Sequence, residues 1–158
     1  MKLQKTMGWL AVGVVLMGAL PATAQTLETK TKDALVAALD DERKAQAIYG
    51  AVMAKFGQVR PFVNIIRAER NHEAQLLGLF KIYQLTVPEN QYTKKPPSAP
   101  ATLKDAFREG VTAEKENIAM YEGFLKFVKE PDITRVFQNL MWASQQNHLP
   151  AFQRGASR

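Results

Sequence analysis

From Thr31 onward, apolar residues recur at every third or fourth position, the period of a helix buried along one face. The first such stretch runs from about Thr31 to Phe56, through Leu35, Leu39, Ile48, Tyr49 and Val52, and Gly57 stands where a C-terminal cap belongs. The second begins near Pro61, a residue tolerated in a first helical turn, and continues through Phe62, Ile65, Ile66, Leu76 and Leu79 to about Tyr83. Residues 84–101 lose the period and carry Pro88, Pro96, Pro97 and Pro100. At 18 residues, this stretch is long for a connection inside a compact domain, and it can return the chain along the length of a bundle. A third helix is expected from about Thr102, with Asp105 three residues on as a weak capping box, to about Lys129. Pro131-Asp132 opens a fourth, expected to run unbroken to about Gln153. No stretch alternates with a strand period. The pattern predicts an all-α four-helix bundle with a long crossover between helices 2 and 3.

The residues ahead of this pattern read differently. Lys2 and Lys5 precede an uncharged apolar run from Trp9 to Leu20, followed by Ala22-Thr23-Ala24. This is the order of a secretory signal peptide, with cleavage expected after Ala24. Twelve apolar residues fall short of the about 20 that span a bilayer. The chain has no cysteine to carry a lipid, so no stable membrane anchor is expected. Residues 1–24 are read as a cleaved address and residues 25–158 as the domain, placed in the periplasm or secreted. Removing the two leader lysines lowers the formal charge from +6 to +4. No basic run with interleaved aromatics follows, so nucleic acid is not an expected partner. The remaining charge marks solvated helix faces. A homodimer is left open.

Two halves of the chain echo each other. Glu42 precedes Tyr49 by seven residues and Glu114 precedes Tyr121 by seven, with Ala47 and Ala119 at the matching offset between them. Asn71-His72 and Asn147-His148 then contain the only two histidines. The repeat pairs helix 1 with helix 3 and helix 2 with helix 4.

Heptad rows locate these residues on the helices. Leu35, Glu42, Tyr49 and Phe56 form one row; Phe62, Glu69, Leu76 and Tyr83 a second, with Ile65, His72 and Leu79 beside it. Phe107, Glu114, Tyr121 and Val128 form a third, and Met141, Gln145, His148 and Phe152 share a face of the fourth. Each row is apolar except near one level. Converging carboxylates in a dry interior repel one another and lose hydration, so buried charges are paired or bind metal. Glu69-Arg-Asn-His72 adds a carboxylate and an imidazole on one helix face. With no cysteine, thiolate zinc sites, iron–sulfur clusters and covalent c-type haem are excluded, which leaves oxygen and imidazole donors and favours iron or manganese.

The segments DDERKAQAIY, RAERNHEAQL, GVTAEKENIAMYE and SQQNHLPAF resemble the ferritin-like superfamily, in particular an uncharacterised bacterial and archaeal branch of it. The resemblance implies a ferritin-like bundle with a metal site formed by Glu42, Glu69, His72, Glu114 and His148, holding one or two ions of iron or manganese. It implies an oxidoreductase of the non-haem iron kind, oxidising Fe(II) with O2 or peroxide, or reducing peroxide. One position departs from the family pattern: Gln145 stands where the fourth helix should supply the Glu of a second Glu-x-x-His. A neutral amide cannot bridge two cations as a carboxylate does, so a single or asymmetric site is an alternative to a dinuclear one. Glu73 and Glu116 are spare ligands facing sideways or outward. Tyr49 and Tyr121 are expected to pack or to hydrogen-bond a ligating carboxylate. Met53, Met120, Met141 and Trp142 are read as packing residues.

Two other functions compete. A metal-free exported bundle could act as a binding module, its acids countered by Arg43, Arg67 or Arg70. A non-covalent haem b held by His148 and a methionine is a third reading, poorly matched by the adjacent carboxylates.

Overall fold

The computed structural model describes residues 26–158; the expected export signal and its cleavage site lie outside them. Helix α1 spans Thr29–Phe56 and α2 spans Phe62–Ile82. Helix α3 covers Leu103–Phe124, and a fourth rod is formed by α4 (Pro131–Ala143), a π-helical turn at Ser144–His148 and α5 (Leu149–Ala156). Among the described residues there is no strand, and no helix is long and apolar enough to cross a membrane.

The ends follow local chemistry. Gly57 leaves α1 at φ 84°, a left-handed backbone that favours glycine, and its N–H donates to the Met53 carbonyl at 2.9 Å. The Thr102 hydroxyl accepts from the Asp105 N–H at 3.1 Å and donates to its carboxylate at 2.6 Å, so the expected capping pair forms. Helix α3 stops short of the expected Lys129. After Phe124 the chain tightens into turns, and the Val128 N–H returns to the Phe124 carbonyl at 3.0 Å while its side chain joins the core.

The proline-bearing connection lies along α1. Gln91 and Tyr92, in a short 3₁₀ turn (Gln91–Thr93), bond to Asp40; the Pro88 carbonyl accepts from Arg43, and those of Pro100 and Ala101 accept from Lys55. The chain thus returns past the stretch between Asp40 and Lys55, about 22 Å of helix at 1.5 Å per residue. Helix α3 therefore starts at the same end as α2 and runs antiparallel to α1.

The fourth rod is not a uniform α-helix. Its inward residues Leu140, Ser144, His148 and Phe152 recur every fourth position, and all are buried. An ideal helix would rotate the row by about 40° at each such step. The π turn absorbs the drift: the Leu149 N–H donates to the Ser144 carbonyl, five residues back. Pro150 helps to fix it there, because it has no N–H to return to residue 146 and its ring would crowd that carbonyl.

Two apolar clusters fill the bundle. One contains Leu35, Leu39, Leu76, Phe80, Ile133, Phe137 and Leu140 around Tyr121; the other contains Val52, Phe62, Ile65, Ile66 and Phe152 around Tyr49. At Gly110 an added Cβ would lie 2.7 Å from the Phe152 ring, so α3 and α5 approach too closely there for any side chain. Met53, Met120 and Met141 pack on these clusters as expected. Trp142 does not: one position round from Met141, it is 58% exposed.

Candidate metal centre

Between the two clusters lies one polar level. Helix α1 contributes Glu42, α2 contributes Glu69 and His72 one turn apart, α3 contributes Glu114, and the π turn contributes His148; all five are buried. Burial of three acids here follows from their heptad rows, which are apolar above and below.

Glu69 is central. Its Oε2 lies 2.8 Å from His72 Nδ1 and its Oε1 lies 3.2 Å from His148 Nδ1. Glu42 Oε2 reaches His72 Nδ1 at 3.2 Å, and Glu114 Oε2 is 3.4 Å from His148 Nδ1. The two imidazoles stack with centroids 5.7 Å apart. The remaining oxygens are held by tyrosines from the opposite helix: Tyr121 donates to Glu42 Oε1 at 2.8 Å, and Tyr49 donates to Glu114 Oε1 at 2.9 Å.

The proton distribution without metal follows from these contacts. Burial pushes the Glu42 carboxyl up to about 8; the His72 hydrogen bond opposes the shift and the Glu69 charge adds to it. Burial also works against a charge on Glu69, but the imidazoles of His148 and His72 outweigh it and hold this carboxyl down at about 2. Burial alone would keep both histidines neutral, yet the flanking carboxylates raise His72 to about 9 and His148 to about 10. Desolvation and the nearby carboxylates push Tyr49 and Tyr121 well above the ordinary phenol range, so both remain donors.

One atom stands out. His148 Nδ1 is the only buried side-chain nitrogen or oxygen among the described residues without a hydrogen-bond partner, although it sits between Glu69 and Glu114. With no hydrogen bond aligned, that nitrogen is held by the charge of the two carboxylates, and a cation between them could take it as a donor instead. The donors fall into two sets, Glu42, Glu69 and His72, and Glu69, Glu114 and His148, each with one ligand atom per residue within 4.8 Å of the others. Carboxylate and imidazole donors sit about 2.0–2.2 Å from a divalent ion, so two donors on one ion are at most about 4–4.4 Å apart. The two sets can therefore close on a cation with small side-chain adjustments. A cavity of about 30 Å³ between α1 and α3, lined by Asp41, Lys44, Tyr49, Glu69, Glu114 and Asn117, reaches the level and has room for water or a diatomic molecule. A haem does not fit in that space, and His148 Nδ1 is turned to the carboxylates.

The other expected residues fall elsewhere. Gln145 is half-buried and contributes no hydrogen bond to the cluster among the described residues, because the π turn brings Ser144 inward in its stead. Glu73 accepts from Arg43 at 2.7 Å and Gln46 at 2.8 Å, which neutralises it beside the site, and Glu116 is exposed. Arg43 thus serves Glu73 and not the central acids, while Arg67 and Arg70 are exposed. A neighbouring network went unread in the sequence. Asn117 donates to Asp41 at 2.7 Å and accepts from the Ser144 hydroxyl at 2.9 Å, tying α1 and α3 to the first residue of the π turn. The only local hint is Asn117 three residues after Glu114, on the same face.

The chain is similar to the uncharacterized protein MJ0754 of Methanocaldococcus jannaschii, at 26% identity over 144 residues that cover 82% of this chain and 77% of the relative. The crystal structure of that hypothetical protein superimposes with a TM-score of 0.75 at 25% identity, covering 89% of this chain and 86% of the other. A conserved hypothetical protein, Rv2844 from Mycobacterium tuberculosis, shares the fold with a TM-score of 0.70 at 17% identity, covering 82% of this chain and 98% of that one. Residues 31–158 match the family described as uncharacterized protein domain DUF2202. The match takes in all four helical rods and every residue of the polar level, and the chain belongs to the DUF2202 family.

Proposed function

We propose that this is an exported, ferritin-like protein that binds iron, with manganese as the alternative ion, and that it oxidises Fe(II) or reduces peroxide. The single observation that carries the reading is the unpartnered His148 Nδ1 between two carboxylates, in one of two donor sets that share Glu69. Glu42, Glu69 and His72 would hold one ion; Glu69, Glu114 and His148 would hold a second, or the pair would share one asymmetrically. Tyr49 and Tyr121 fix the outer carboxylate oxygens, which keeps Glu42 and Glu114 from turning away. Bound iron would supply the electrons for chemistry with O2 or peroxide. The small cavity beside Glu69 and Glu114 suits such small reactants and excludes larger ones. The ferritin-like part of the reading rests on the crossover along α1 and the Glu, Glu-x-x-His order; export rests on Lys2, Lys5, the apolar run and Ala22-Thr23-Ala24.

Metal content by mass spectrometry after Fe(II) reconstitution tests the reading, with O2 and peroxide consumption followed on the loaded protein. Wild type is expected to retain about one to two ions per chain and Glu69→Ala close to none. Less than about a tenth of an equivalent in wild type would sink it. A metal-free binding module is the second reading, favoured by the 2.8 Å pairing of His72 with Glu69, which already compensates one acid. It requires that a chelator leave the thermal midpoint of protein purified from its native compartment unchanged.

A further inference from the structure

The end of the bundle where α2 and α3 begin and α5 finishes carries a second concavity, an open cleft of about 540 Å³. That volume lies within the about 300–1,000 Å³ common to small-molecule sites. Its lining is of two kinds. Leu103, Phe107 and Ala151 give it apolar walls, and Arg60, Arg154 and Arg158 stand around them. No Asp or Glu lines the cleft, and none of the three arginines makes an ion pair among the described residues.

The apolar wall is fixed in place. Phe107 packs so closely on α5 that a Cβ at Gly155 would come 2.4 Å from its ring, and it stacks on Phe62 with centroids 5.4 Å apart at 27°. Phe62 in turn meets Tyr49 at 5.7 Å, so the wall continues inward to the tyrosine that holds Glu114. A rigid aromatic surface ringed by uncompensated guanidinium groups favours a ligand with complementary parts. Guanidinium forks pair with phosphate or carboxylate oxygens, and a planar ring packs on phenyl.

We propose that this cleft is a binding site for a small aryl anion, an aromatic body bearing one phosphate or carboxylate, seated on Phe107 with its charge between Arg60 and Arg154. The site is separate from the Glu/His cluster and does not depend on metal.

Calorimetric titration of the purified protein with naphthyl phosphate and naphthoate tests this, with inorganic phosphate and naphthol as the charge-only and ring-only probes. One-to-one binding of at least one aryl anion is expected, about tenfold or more tighter than either control, a difference of about 1.4 kcal/mol. It should weaken as salt is raised from about 50 to 500 mM, because the pairs are exposed. Arg60→Glu with Arg154→Glu should cost about tenfold or more in affinity and leave helical content unchanged, since both side chains are exposed. Absence of binding by both aryl anions, equal binding of either control, or insensitivity to salt overturns the proposal. So does undiminished affinity in the folded double variant.

Discussion

Tyr121 on α3 donates to Glu42 on α1 at 2.8 Å, and Tyr49 on α1 returns the same bond to Glu114 on α3 at 2.9 Å. Each tyrosine lies seven residues after the glutamate of its own helix, yet serves the glutamate of the other. The equal spacing makes this possible. When antiparallel helices set Glu42 level with Tyr121, Tyr49 is level with Glu114.

Removing either hydroxyl should therefore have matching effects. Tyr49→Phe and Tyr121→Phe are each expected to destabilise the metal-free protein by about 1–3 kcal/mol in urea unfolding, the cost of leaving a buried acid oxygen unpaired. Iron affinity should fall by about 10–100-fold in both, as loss of a group that orients a ligand does elsewhere. A large loss in one variant and none in the other would contradict the paired arrangement.

The two acids that face His72 should differ in their response to neutralisation. Burial already favours a proton on Glu42, so Glu42→Gln replaces a neutral acid with a neutral amide of similar shape and should change metal-free stability by less than about 1 kcal/mol. Glu69 is held ionised between two imidazoles, so Glu69→Gln should be destabilising by about 3 kcal/mol or more. Urea unfolding of the two variants side by side gives the comparison.

The shifts also fix how stability depends on pH. Glu42, His72 and His148 all have raised values when folded, about 8, 9 and 10, so the folded state keeps protons that the unfolded chain releases. Their contribution is complete at acid pH, begins to fall above about 4.5 for Glu42 and about 6.5 for the histidines, and is lost as pH passes each folded value. Glu69 has the opposite sign: lowered to about 2, it stabilises above about 4.5 and loses this as pH falls toward 2. Thermal melts of metal-free protein should peak near pH 5 and fall by about 5 °C or more toward pH 9. Iron or manganese must displace these protons, so loading should strengthen over the same rise in pH and release protons into weak buffer.

Asn117 should matter beyond its own hydrogen bonds. Asn117→Ala leaves Asp41 and the Ser144 hydroxyl without their partner at the start of the π turn. A cost of about 2 kcal/mol in stability is expected. In metal-loaded protein the set containing His148 should be disturbed more than that containing His72, read as partial loss of metal with the remaining ion's spectrum retained.

The sequence made much of this legible, and the losses have identifiable causes. Helix periods placed α1 and α2 within two or three residues, and the Thr102–Asp105 pair marked the start of α3. The rows also picked out Glu42, Glu69, His72, Glu114 and His148, which the fold brings to one level, because an isolated polar residue in an apolar row has few places to go. Gln145 was misplaced because a heptad row assumes a constant helical pitch. The spacing of Leu140, Ser144, His148 and Phe152, with Pro150 beside them, carries the signal of a wider turn. The Asp41–Asn117–Ser144 network left little trace, since its short polar side chains find their partners on other helices and no local pattern requires them. Trp142 is expected to pack because it adjoins the Met141 row, but one step round the helix from that row sets it outside.

The two halves of the sequence echo each other, but the echo fails at the centre. Glu42 and Glu114 correspond, as do the two tyrosines and the two histidines, while Glu69 has no counterpart and belongs to both donor sets. Were both sets to take an ion, each would draw on the ligand that the other also needs. Loading should then be sequential, with a tight first equivalent and a weaker second, and a titration that fits two identical, independent sites would show that the shared carboxylate does not couple them. On that reading, the missing symmetry mate of a single glutamate would give two similar halves one order of filling.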